Sequence, residues 1–281
     1  MSRTFCVIRP LPFADVATAV ILHAHPDDET IATGGTIAKA KRDGHRIVLV
    51  IATNGEEGEP VPGVLSEGEL LGDRRVRETH RAAEVLGVDR VAFLGYRDSG
   101  MMGEPTNDNP ASFWRADLHE AAGKLAEILR EERADLLVTY DDNGVYGHPD
   151  HIQVHRVGVR AAEYAGVSRV FEASFSREFM RGVFAELEEL DPDAAAESAD
   201  APEADTFGLP EADLTHRIDV SDFVLLKRDA LLRHESQISP EHPMAKMPIE
   251  MFARWSGVEW FRDRARPRAG GDFRGDVFAI D

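Results

Sequence analysis

Four short, nearly unbroken apolar runs, at 18–22, 47–52, 90–94 and 135–140, alternate with stretches at about 28–43, 73–87 and 115–132 where apolar residues recur every three or four positions. A run without polar alternation suits a strand covered on both faces, and the three-to-four spacing suits an amphipathic helix. Strand–helix alternation of this kind implies a parallel sheet with right-handed crossovers. The expected fold class is therefore α/β: a Rossmann-like, mostly parallel sheet with helices on both faces. Ligands in such sheets bind beyond the carboxyl ends of the strands. All four runs are followed there by polar residues: His23 to Glu29, Thr53 to Gly58, Gly95 to Gly100 and Asp141 to His151.

Two of these stretches share one local design, strand followed by His-Pro-Asp: His25-Pro26-Asp27-Asp28-Glu29 and Tyr146-Gly147-His148-Pro149-Asp150-His151. A proline disfavours helical geometry in the residue before it and is harmless in the first turn of a helix. Either motif alone is weak, because Asp and Pro are common in loops and at helix starts for structural reasons. Together, after strands of one sheet, they supply two histidines and a carboxylate, the donor set of a catalytic zinc with one position left for water. Asp27 and Asp28 are adjacent and point in different directions, so one can hold a metal while the other accepts a proton from water. His23 reads as a packed strand residue, and His80, His155, His234 and His242 as structural or surface residues.

These motifs resemble the LmbE-like (PIG-L-like) N-deacetylases. The resemblance is dense over residues 17–175, through Asn54-Gly55-Glu56, Arg75, Glu78 and Tyr96-Arg97-Asp98-Ser99-Gly100-Met101, and resumes around Lys227 to Gln237. Tyr96 to Met101 and the stretch Asn107 to Trp114 are most similar to the branch containing the mycothiol-pathway deacetylase and the mycothiol S-conjugate amidase. The resemblance implies zinc, with Fe2+ as an alternative, held by His25, Asp28 and His151. It implies Asp27 as general base, His148 as general acid, Asp150 as the residue tuning His148, and Tyr146 as a mobile oxyanion contact. Arg75 and Asp98 would bind substrate, although Arg74, Arg75, Arg77 and Arg81 crowd one helix and can pair with Glu78 or Glu84. Glu56 would meet a sugar hydroxyl or only cap a helix. The implied substrate is a small-molecule amino-sugar conjugate. An S-conjugate amidase is the alternative within the same chemistry, and a non-catalytic sugar-binding protein the alternative outside it.

The rest of the chain narrows the setting. A net charge of −19 opposes nucleic acid and anionic membranes. The first junction lacks the Gly-x-Gly-x-x-Gly turn of a dinucleotide site. A single cysteine, Cys6, rules out an intrachain disulfide, and no run reaches the ~20 apolar residues of a membrane span, so the cytoplasm is the expected location. Residues 182–206 carry nine acidic and no basic side chains and read as a solvated, mobile insertion, about 184–207. A smaller α+β extension, about 208–281, follows, with a short strand and a helix within 217–238 capped by Asp219 or Ser221. The whole reads as a single domain, 1–281; a homo-oligomer is compatible with it.

Overall fold

The computed structural model describes residues 16–190, 206–268 and 270–279. Cys6 and the centre of the acidic segment, 191–205, lie outside them. The strands are β1 (Thr18–His23), β2 (Arg46–Thr53), β3 (Arg90–Tyr96), β4 (Leu136–Tyr140), β5 (Arg169–Ser174), β6 (His216–Asp219) and β7 (Val258–Asp263). The helices are α1 (Asp28–Ala32), α2 (Gly34–Arg42), α3 (Leu71–Leu86), α4 (Leu118–Glu131), α5 (Gly144–Gly147), α6 (Pro149–Ala165), α7 (Arg177–Leu190), α8 (Val224–Leu231), α9 (Pro243–Lys246) and α10 (Ile249–Ser256). Among these helices none is long and apolar enough to cross a membrane.

One seven-stranded sheet runs in the order β3-β2-β1-β4-β5-β7-β6. β1 to β5 are parallel, whereas β7 pairs antiparallel with both β5 and β6. The expected extension thus continues the main sheet. Crossovers leave β1 in opposite directions, toward β2 and then, after β3, back to β4. The carboxyl ends of β1 and β4 consequently flank the switch point where such sheets open a crevice. The central strands are apolar on both faces: Ile21, Leu22, Ile47, Leu49, Ile51, Leu136 and Leu137 are fully buried.

The expected helix over 28–43 is two helices broken at Thr33. The Thr33 hydroxyl donates to the Glu29 carbonyl (3.1 Å) and lies 2.8 Å from His23 Nε2, which pulls the backbone out of helical geometry. α2 then restarts on a carboxylate from the far end of the chain: Glu259 accepts from the N–H groups of Gly35 (2.8 Å) and Thr36 (2.7 Å). Lys227 Nζ closes this buried knot at 2.7 Å from Glu259. Removing one partner of a buried ion pair costs about 3–5 kcal/mol. Lys227→Met is therefore expected to lower unfolding free energy by about 3 kcal/mol, the low end because two N–H groups still serve Glu259. Urea unfolding of the two proteins measures it.

α7 reaches into the acidic segment as far as Leu190, with Met180 and Val183 buried at helical spacing. Asp219 caps the single turn Ser221–Phe223 through the Ser221 N–H (3.0 Å) rather than capping α8.

Candidate metal centre

Beyond β1 the chain turns sharply. Asp27 sits at φ 99°, a left-handed conformation uncommon for a residue other than glycine. Its N–H donates to Glu29 Oε2 (2.9 Å) and its carbonyl accepts from the Thr30 N–H (2.9 Å), which together hold the turn. Beyond β4, Val145 has φ 70°, braced by Asp141 Oδ1 accepting from its N–H (3.1 Å) and by the Gly208 N–H on its carbonyl (2.7 Å). Gly144 is required beside it, since a Cβ there would lie 2.5 Å from His151 Cβ. Pro149 is the first residue of α6, as expected, whereas Pro26 precedes α1 by two residues.

The two turns bring His25, Asp28 and His151 together. His25 Nδ1 lies 3.3 Å from His151 Nε2 and 3.5 Å from Asp28 Oδ2, and His151 Nε2 lies 3.4 Å from Asp28 Oδ2. Ligands at 2.0–2.1 Å around a tetrahedral ion are separated by roughly 3.3–3.4 Å. The three atoms therefore form one face of such a tetrahedron. Burial raises the Asp28 carboxyl, but His151 and His25 outweigh it and hold it well below its usual range, in the anionic form a metal ligand needs.

The other nitrogen of His25 faces carboxylates: Nε2 is 3.1 Å from Asp150 Oδ2 and 3.5 Å from Asp98 Oδ1. A carboxylate there keeps the proton on Nε2 and leaves the Nδ1 lone pair for a metal. This corrects the expectation for Asp150. Its carboxylate serves His25 and the Ser99 N–H (2.9 Å) and hydroxyl, and only its backbone N–H reaches His148, at Nδ1 (3.1 Å). His148 Nδ1 is thereby an acceptor and Nε2 carries the proton. Burial, with His25 and His151 alongside, pushes the imidazolium down to about 2, so the resting ring is a neutral donor.

Asp27 stands beside this group. Burial raises its carboxyl to about 6, with Arg75 opposing the rise at 3.2 Å from Oδ2. Arg75 is buried, and its Nη atoms donate to the carbonyls of Gly55 (2.8 Å) and Pro26 (2.6 Å). Gly55, at φ 67°, is needed for this, because a Cβ would stand 2.3 Å from Arg75 Nη1. The Tyr146 ring lies edge-on to His151 at 4.9 Å and stacks on Phe207; burial pushes its phenol above the usual range, so it remains a donor.

An open cavity of about 190 Å3 lies against His25, His148, Arg75, Asp98, Glu57 and Glu104. Asp98 and Arg75 thus border it. Glu56 does not: its Oε2 accepts from the Asp98 N–H (3.1 Å), a supporting bond, and neighbouring Glu57 borders the cavity instead. Sequence reasoning quoted Ser99 and Glu29 within the motifs but gave them no role: Ser99 ties Asp150 in place, and Glu29, fully buried, accepts the Asp27 N–H. His23 is the packed residue expected, bonded to Tyr140 and Thr33.

Fold and site together define an α/β protein with a cluster of His and Asp side chains that could hold a metal ion at the switch point of its sheet. Comparison with known proteins gives the family: residues 20–162 match PIG-L, GlcNAc-PI de-N-acetylase, and the chain belongs to it. A 1D-myo-inositol 2-acetamido-2-deoxy-alpha-D-glucopyranoside deacetylase of Thermobifida fusca is 41% identical over 92% of this chain and 98% of its own length. Two solved structures share the fold. The N,N'-diacetylchitobiose deacetylase of Pyrococcus horikoshii has TM-score 0.57 and 23% identity, covering 89% of this chain and 85% of its own. GalB, a 4-carboxy-2-hydroxymuconate hydratase, has TM-score 0.57 and 18% identity, covering 92% and 100%. A hydratase on this scaffold means that fold alone does not assign the chemistry.

Proposed function

We propose that the chain is a metal-dependent N-deacetylase that removes acetyl from an amino sugar carried on a polyol such as inositol. The observation that carries the reading is the His25–Asp28–His151 triangle with the Asp27 carboxylate beside it, in a chain 41% identical to an inositol-glycoside deacetylase along nearly its whole length. Two nitrogens and one oxygen in tetrahedral disposition suit Zn2+, with Fe2+ compatible. When bound, such an ion supplies Lewis acidity toward the amide carbonyl and lowers the pKa of water at the open position.

The side chains do the rest. Asp27 takes the proton of the attacking water as its oxygen bonds to the amide carbon. His148 Nε2–H and the Tyr146 hydroxyl donate to the oxygen on which charge develops, contacts typically worth ~3–4 kcal/mol each. The C–N bond then breaks with its electron pair passing to nitrogen, which takes the proton back from Asp27. Acetate and a free amino sugar leave. Arg75 holds Asp27 ionised and aligned, and Asp98 borders the sugar. The extension is proposed as part of one catalytic unit with the 17–175 core. The cytoplasm is proposed as its location, on the support of a single cysteine.

Incubating zinc-loaded protein with an N-acetylglucosaminyl inositol, diacetylchitobiose and a cysteinyl S-conjugate, while measuring free amine, tests this reading. The first should be favoured by about 10-fold or more, as expected where buried polar groups meet a matched substrate. Preference for the S-conjugate would reassign the chain as an amidase, and no amine from any would reject hydrolysis. The same assay reads the base. Asp27 must be ionised, so kcat/KM is expected to fall as pH drops through about 6, or lower once a dication adds its charge. A flat acid side down to pH ~4 would exclude Asp27.

A further inference from the structure

Glu29 and His234 form a buried pair that the mechanism above does not use. Both are fully buried, and they come from positions 205 residues apart. Glu29 Oε1 lies 2.8 Å from His234 Nε2, while Glu29 Oε2 accepts the Asp27 N–H at 2.9 Å. A carboxylate only accepts, so His234 Nε2 carries the proton and donates it. One carboxylate thus spans the gap between the C-terminal extension and the strained turn at φ 99° that aims Asp27.

His234 is itself held on a fixed support. It lies in the turn after α8, its N–H on the Leu231 carbonyl (3.1 Å) and its carbonyl accepting from the Ile238 N–H (2.8 Å). Two residues on, the Ser236 N–H and hydroxyl donate to buried Glu78 (3.0 and 2.6 Å), and the Ser236 carbonyl accepts from the Val61 N–H (2.8 Å) in the loop that follows β2. The turn is therefore fastened to α3 and to that loop, and cannot follow Glu29 if the carboxylate shifts.

We propose that His234 is a positioning residue for the base. Through Glu29 it fixes the Asp27 backbone in its left-handed conformation, and so the direction of the Asp27 carboxylate toward water. A backbone in a sparsely populated conformation persists only when its surroundings over-determine it. The Glu29 carboxylate does so from within the turn, and His234 holds that carboxylate from outside it. The C-terminal extension then belongs to the catalytic apparatus and not merely to the edge of the sheet. That matches the extent of the resemblance: the family pattern ends at residue 162, whereas likeness to the inositol-glycoside deacetylase covers 92% of the chain.

The inference rests on the deacetylase reading, and wild-type turnover in the same assay checks that reading separately. Two polar variants isolate the contact: His234→Gln, whose amide N–H reaches Glu29, and His234→Asn, one methylene shorter, whose amide does not. Both should fold and carry the wild-type amount of zinc. His234→Asn is expected to lower kcat by about 10- to 100-fold with KM within about twofold, the size of loss that follows small misplacement of a reacting group. His234→Gln should restore most of it. With Asp27→Asn already present, His234→Asn should cause no further fall, because residues acting through one group are not additive. Equal kcat for the two variants, a loss that tracks zinc content, or the same fold-loss again in the Asp27→Asn background would overturn the proposal. An inactive wild type would instead overturn the reading beneath it.

Discussion

Replacing Asp27 with Asn is expected to lower kcat by about 100- to 10,000-fold, the range set by losing a positioned general base, while zinc content stays at the wild-type level. The split follows from geometry. The three ligand atoms come from His25, Asp28 and His151, and Asp27 contributes none of them. Its carboxylate faces Arg75 at 3.2 Å instead, and its backbone bonds to Glu29 and Thr30 are indifferent to the amide. Asparagine is close to the same size and leaves the turn intact, but it cannot take a proton from water. Zinc per chain by elemental analysis, measured beside kcat, separates the roles. Wild-type kcat would remove Asp27 from the mechanism; loss of zinc would make it a ligand.

His151→Ala is expected to do the reverse and act first on the metal. It deletes the vertex that closes the triangle at 3.3 and 3.4 Å, leaving two donors. Changes to residues that merely support ligands typically weaken metal binding 10- to 100-fold, and loss of a ligand should exceed that. Activity should fall in step with zinc occupancy. Tyr140 stacks on the His151 ring at 4.6 Å, and alanine also opens a gap there, so some loss of stability accompanies the metal loss. Titration with a competing chelator gives the affinity. Wild-type affinity would require a donor set without His151, and one lies close by among the described residues: His25 with Asp98 and Asp150.

Much of this was legible in the sequence because the informative residues directly follow apolar strands. A parallel sheet delivers whatever follows β1 and β4 to one crevice, so two His-Pro-Asp motifs 123 positions apart could be placed together unseen. What failed needed side-chain direction. Asp150 was paired with His148 on proximity in sequence, yet at the start of α6 its carboxylate crosses to His25 and only its N–H turns back. Glu56 and Glu57 are neighbours of identical type. Glu57 borders the cavity, whereas Glu56 turns to the Asp98 N–H, a difference that residue type does not carry.

β5 and β7 gave no apolar run for a different reason: charge is buried between them. Glu172 on β5 is registered opposite Arg262 on β7 and is also met by Arg264, so the strands pair through ions where an apolar signature would otherwise stand. His234 was read as structural or surface. Nothing local in the chain shows that it is buried against Glu29, since that contact exists only after α8 has packed on α1, α2 and α3.

The central claim is that one divalent ion is held by His25 Nδ1, Asp28 and His151 Nε2, with the fourth position open. A crystal of the protein grown with Zn2+ and measured at the zinc absorption edge tests it most directly. One anomalous peak is expected about 2.0–2.2 Å from each of those three side chains. A peak instead between His25 Nε2, Asp98 and Asp150, or none in the crevice, would contradict it.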